Sequence, residues 1–250
     1  PLSNITDVGT GRLRGTASIE IPAGEGNRGV EYFVRTVDRS GNSVILSASG
    51  RQVDVEADAV QPFSLRTRIS GLEGVQVEEQ PATYHMVSVP MQLDVPDVFE
   101  MVRRAVGNDE PILKRDKTRF RVFELAGSAF LELAPGRSER SLTPGSAFWL
   151  TLKDRPINMG AGAGWSTQTI PAFDTTMASS GWHLIGHPYS FPVSWSDVEA
   201  DGVALTSGRG GGVRFWEYGS EFGTGAGTWG IHPEGLRPWR GYAVHVTKET

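Results

Sequence analysis

The residues of this chain with chemistry to offer are its histidines, carboxylates and tryptophans, and their spacing argues against catalysis. Five histidines are present. His85 and His183 stand inside strand-like runs at equivalent points of an internal repeat, which points to a structural role. His187, His232 and His245 occur in the second copy only and, with Glu217 or Glu234, have the donor types of a zinc set. No pair among them has the short fixed spacing that metal sites use. Glu124 and Glu217 are repeat-equivalent acids beside aromatics. A glycosidase needs two carboxylates about 5–10 Å apart across a cleft, and repeat-equivalent residues meet only near a pseudo-two-fold axis. Asp38-Arg39-Ser40-Gly41-Asn42 places oxygens at alternate positions, which loosely suits calcium. Without a bidentate acid it reads as an Asx-type turn. Gly225 to Gly230 fits G-x-G-x-x-G, a pattern with meaning only between a parallel strand and a helix; here it falls in a glycine-rich hairpin loop. There is no H-E-x-x-H, G-x-S-x-G or Walker pattern, and cysteine is absent. The expectation is a chain with no catalytic residues, no metal and no cofactor.

The tryptophans are more informative. All seven lie beyond residue 148. Trp149, Trp182 and Trp216 occupy or adjoin strand positions with apolar counterparts elsewhere in the repeat and are expected in the core. Trp165, Trp195, Trp229 and Trp239 sit in or beside glycine- and proline-rich turns. Aromatics displayed on a β-scaffold stack on sugar rings or anchor protein interfaces, and in turns they also cover the edges of their own domain. These four are the candidate binding residues.

The elements that position them are written nearly twice. Tyr84 to Pro90 reappears as Trp182 to Pro188, Phe120 to Leu125 as Val213 to Tyr218, and Leu142 to Leu150 as Leu236 to Val244. The offsets are 98, 93 and 94 residues, so three blocks recur in one order with small loop changes between them. Each copy reads as strands with one helical stretch. Asp97 to Gly107 is the best helix: Asp97 caps it, Val98, Met101, Val102 and Ala105 form its apolar stripe, and Arg103 and Arg104 lie near its C-terminal end. At the matching place Ser194 to Ala200 allows a turn or two of helix at most. A residue kept in both copies is explained more simply by the fold than by an active site, which an enzyme needs once.

Residues 1–58 form a separate unit. Gly15 to Ile21 alternates as a half-buried strand does. Val30 to Asp38 and Ser43 to Ala48 flank the Asp38–Asn42 turn. This aromatic-x-Val-x-Thr-x-Asp pattern before a Gly-Asn turn resembles immunoglobulin-like and fibronectin type III-like modules of bacterial surface proteins. The resemblance implies a β-sandwich. A full sandwich needs about seven strands in about 100 residues, and this segment holds fewer. The rest are missing, supplied by a neighbouring chain, or supplied by residues beyond 58. Residues 80–250 also resemble known proteins. Trp182, Ile185, Gly186, Pro188, Pro192 and Trp195, then Leu236, Pro238, Gly241 and Tyr242, are similar to C-terminal regions of large secreted proteins from Bacteroidota-type bacteria. That resemblance implies export and an extracellular or cell-surface setting.

Composition bounds the partners. The net charge is −5 and Lys114-Arg115-Asp116-Lys117 is the densest basic run. A nucleic-acid partner, which needs a clustered basic footprint, is therefore not expected. No apolar run approaches the roughly 20 residues of a membrane span. Glycine (31) and proline (15) are plentiful enough for many tight turns between short strands. Pro1 in place of Met reads as a processed chain or a fragment.

Together these readings predict a mainly β protein: a partial immunoglobulin-like sandwich at 1–58, then two homologous β-rich units at 59–160 and 161–250, each with a short helix. The expected function is a non-enzymatic structural or assembly module of a secreted protein, such as a filament, sheath or layer subunit, which associates with itself or with other surface proteins. A carbohydrate-binding or adhesive module, with glycans as partners, is the alternative.

Overall fold

The computed structural model describes residues 3–7, 13–16, 29–37, 40–47, 50–53, 62–66, 68–70, 75–77, 84–106, 117–118, 120–127, 129–134, 142–152, 157–159, 163–169, 172–177, 180–219, 228–231 and 234–247. Among these the protein is mainly β, built of several antiparallel sheets with a single α-helix.

The duplication in the sequence is a duplication in space. The first copy forms a sheet in the order Tyr84–Ser88, Ala147–Leu152, Phe120–Ala126, Ala129–Glu132. The second repeats that order with Gly181–Gly186, Gly241–Val246, Val213–Gly219 and Thr228–Gly230, and Arg209–Gly210 adds a further edge to Val213–Gly219. The registers agree as well. Met86 pairs with Trp149 and Phe123 with Trp149, while their equivalents pair as Leu184 with Ala243 and Trp216 with Ala243. Register fixes which side chains share a face, so each copy has an inner face and an outer face built from equivalent positions.

The inner faces hold two separate cores. In the first, Val87, Phe120, Val122, Phe148 and Leu150 pack with Val98, Met101 and Val102 of the helix Val98–Val106. The helix starts where the sequence places its cap, because Asp97 Oδ1 accepts the backbone N–H of Phe99 at 2.7 Å and of Glu100 at 3.0 Å. Glu100 then takes the guanidinium of Arg103 at 2.5 Å and of Arg104 at 3.0 Å. In the second core a single 3-10 turn, Trp195–Asp197, replaces the helix. One indole stands in for three apolar side chains: buried Trp195 meets Phe215 and Tyr242 edge-on at 5.2 and 6.4 Å. The chain then runs into two hairpin turns, Asp201-Gly202 and Ser207-Gly208. Both central residues of each have positive φ, as type I′ turns require.

The outer faces pack against each other around a pseudo-two-fold axis. Ser88 N–H donates to the Trp239 carbonyl at 2.8 Å, and Gly186 N–H donates to the Gly145 carbonyl at 2.7 Å. Ser88 corresponds to Gly186 and Gly145 to Trp239, so the two bonds are reciprocal halves of one contact. The close approach demands small residues. A Cβ on Gly186 would lie 2.2 Å from the Ser146 carbonyl oxygen, and one on Gly241 would lie 2.5 Å from Met86 Cγ. Beside the axis Met86, Trp149 and Ala243 form a third small core, backed by Phe123, Leu184 and Tyr218.

The turns that make these bonds are also duplicated. Thr143–Ser146 and Arg237–Arg240 each close with an i to i+3 hydrogen bond, and each has proline followed by a positive-φ residue. That residue is Gly145 in one copy and Trp239, at φ 66°, in the other. A left-handed conformation costs a non-glycine residue about 1–2 kcal/mol. Burying an indole of about 150–250 Å² contributes roughly 4–6 kcal/mol, so burial wins. Trp239 carries the strain in order to reach across the axis into the core of the first copy.

Further strand pairings involve the first unit. Phe63–Leu65 pairs with Val30–Tyr32, joining residues 1–58 to the first repeat unit. Val75–Val77 pairs with Ile157–Met159. Ala163–Trp165, which the boundary at 160 assigns to the second unit, pairs with Arg68–Ser70 and Gln92–Leu93 of the first. Pairing of the first unit therefore runs through Trp165. Within residues 1–58 the described strands are the hairpin Ser3–Asp7 with Leu13–Thr16, the meander Val34–Val37, Ser43–Ser47, Gly50–Val53, and the strand Val30–Tyr32.

Candidate functional site

The four turn tryptophans divide into two kinds. Trp195 and Trp239 are 3% and 4% exposed, so they belong to the core and cannot stack on a ligand. Turns usually lie at the surface, but one of these replaces a helix and the other crosses the axis. Trp165 and Trp229 are exposed. Trp165 carries the Arg68 guanidinium 5.3 Å from its ring centre, and Arg68 is itself held by Asp94. Trp229 lies edge-on to Trp149 at 5.8 Å and to Tyr218 at 5.2 Å, so one face of it closes the seam between the copies.

Trp182 reverses the expectation in the other direction. Read as core, it is 56% exposed. Its neighbours on the outer face are Trp216 and His245, each with ring centres 5.0 Å away. Arg214 covers Trp216 at 4.7 Å. The first copy has the same plan: Tyr84 lies 6.0 Å from Phe123, which Arg121 covers at 4.6 Å. Strand parity in the sequence places Trp182 on the face of Leu184, but only Leu184 packs into the small core between the copies.

His187 and His245 have separate surroundings. His245 lies against Trp182 on the outer face. The buried imidazole of His187 sits at 2.5 Å from the Phe191 carbonyl oxygen, to which its Nε2–H donates. Burial pushes His187 down to about 4, with that hydrogen bond opposing. His232 lies outside the described residues. Among the described residues no group of three His, Cys, Asp or Glu side chains is placed to hold a metal.

Nor do the two glutamates share a cleft. Glu124 shares its strand face with Val122, and Glu217 with Phe215, so each belongs to its own copy's inner layer. Glu217 is fully buried and takes the guanidinium of Arg237, with Arg240 Nε at 3.5 Å. Arg237 N–H donates to the Tyr242 hydroxyl at 2.7 Å. Burial, and then the Glu217 charge, raise the Tyr242 phenol above its usual range. This cluster locks the Arg237–Arg240 turn.

Asp38 and Gly225 to Gly227 lie outside the described residues. Thr228–Gly230 forms an antiparallel pair with Val213–Gly219, which is not the parallel strand-to-helix setting of a dinucleotide site. A groove of about 440 Å³ opens beside Arg66, Gln92, Leu93, Thr143, Ser166 and Phe173. Among the described residues its lining holds no carboxylate and no imidazole. No protein-family model, curated protein or solved structure matches the chain. Among the described residues, no helix is long and apolar enough to cross a membrane.

Proposed function

We propose that this chain is a non-enzymatic structural or assembly module of a secreted protein. In this reading it works at the cell surface or outside the cell as a subunit of a filament, sheath or layer. It associates with copies of itself, or with other surface proteins, through the first segment. One observation carries the reading. Among the described residues Val34–Val37 is an edge strand of its three-stranded sheet, and all four of its residues are exposed. Val37 is 59% exposed, and Phe33, Leu46 and Leu65 are also exposed. A strand edge with apolar side chains invites pairing with another chain unless lysine, proline or a bulge blunts it. A further feature suits a structural role: buried Glu217 holds the Arg237–Arg240 turn through both arginines. The extracellular setting rests on the motif resemblance of Trp182 to Tyr242 alone.

The test is light scattering over a concentration range with negative-stain imaging. Growth into filaments or sheets is expected, and Val37→Lys is expected to suppress it while leaving the circular dichroism unchanged. A monomer at every concentration would overturn self-assembly by this chain.

A further inference from the structure

We infer that the outer face of the second copy is a binding site for an acidic glycan, separate from the assembly edge. The register of the sheet sets Trp182 opposite His245, His245 opposite Arg214, and Arg214 opposite Arg209. Directly opposed residues share a face, so these four form a row across the sheet, with Trp216 beside it. At about 4.8 Å between strands the row runs ~14 Å, longer than one sugar ring.

The row is hard to explain by the fold. Arg209 and Arg214 are both exposed, and like charges placed opposite each other destabilise a sheet. Among the described residues no carboxylate neutralises either of them. The first copy makes the contrast. There Arg121 is held by Glu132 at 3.2 Å, and Lys117 joins the same carboxylate at 3.1 Å. Thr151 stands where the second copy has His245, and Tyr84 where it has Trp182. The second copy has thus kept the aromatic plan, including the arginine over its inner ring, enlarged the exposed ring, and set its two arginines side by side without a carboxylate among the described residues, in a molecule of net charge −5.

An exposed indole offers a flat face to the C–H side of a pyranose. Guanidiniums bind carboxylate or sulfate with paired N–H donors, and imidazole and indole N–H groups serve ring hydroxyls. An apolar protein partner would use the ring but gain nothing from two adjacent arginines. A polyuronate or sulfated glycan uses all four positions.

Affinity electrophoresis of the full chain tests this, in gels holding polygalacturonate, alginate, chondroitin sulfate or dextran, with a single-stranded oligonucleotide as competitor. Retardation by at least one of the acidic polymers, and none by dextran, is expected. Trp182→Ala and the double variant Arg209→Gln/Arg214→Gln should each weaken it by about tenfold or more, roughly 1.4 kcal/mol, while Arg121→Gln leaves it unchanged. All the substituted side chains in the row are at the surface, and unchanged thermal unfolding verifies the fold. The assignment is overturned by passage unretarded through all three acidic polymers, or by retardation indifferent to these substitutions. Equal retardation by dextran, or stronger binding of the oligonucleotide through the same residues, overturns it too. None of these outcomes depends on whether the chain polymerises.

Discussion

The two copies share strand order, register and turn geometry, yet they fill their buried positions differently. The first packs its inner layer with aliphatic side chains and a capped helix. The second has Trp195 in place of the helix, buried His187 where the first has buried Val89, and arginines at 237 and 240 where the first has Thr143 and Ser146. Glu124 is half-buried, whereas Glu217 is fully buried between those arginines. The scaffold therefore tolerates two chemistries provided the axis keeps its small residues and its reciprocal hydrogen bonds. What differs is the response to perturbation: the first copy should depend on packing alone, the second also on charge.

The largest difference is expected at the equivalent turn positions 145 and 239. Trp239→Ala empties a site in the core of the first copy and should cost about 3–5 kcal/mol, even though the new side chain still bears the left-handed backbone. Gly145→Ala adds the left-handed cost of about 1–2 kcal/mol and pushes against Phe173, whose ring would stand 2.5 Å from the new Cβ. Urea unfolding of both variants measures this directly. A loss at Trp239 no larger than that at Gly145 would mean that the indole is not a keystone between the copies.

Next comes the pH response. His187 is held neutral by burial, down to about 4 from its ordinary 6.5. Between those values the unfolded chain takes up a proton that the folded chain refuses, so stability falls as pH drops from about 6.5 to about 4. The shift corresponds to roughly 3 kcal/mol. Below the folded value both states are protonated and the contribution levels off. Val89 shows what the same position does without a titrating group. His187→Val should remove this slope from the pH dependence of the unfolding midpoint, whatever it does to the absolute value. A slope that survives the substitution would place the acid sensitivity elsewhere.

The architecture was legible because the duplication is written in strings long enough to carry register: Tyr84 to Pro90 and its echo define the same strand and the same proline stop. The helix was legible because Asp97, the stripe at 98, 101 and 102, and the two arginines all agree. Exposure was not. Trp182 and Trp239 are both large aromatics near glycine or proline, and the sequence places each wrongly. One lies outside the contact between the copies and the other within it, and both facts belong to the packing of one copy on the other. Arg209 and Arg214 likewise become neighbours only through the close of a short hairpin, a signal readable as glycine-rich turn chemistry but silent about which face the arginines share.

The smallest expected effect separates the helix from its one-turn replacement. Asp97→Ala removes an acceptor from two backbone N–H groups and should cost about 1 kcal/mol, because Val98, Met101 and Val102 still bind the helix to the core. In the second copy the Ser194 side chain makes no capping bond to its 3-10 turn, so Ser194→Ala should cost a few tenths of a kcal/mol at most. Chemical denaturation of the pair resolves the two values. Near-equal losses would indicate that the cap adds little once the apolar stripe is seated. The helix would then be held by packing alone, as Trp195 holds its counterpart.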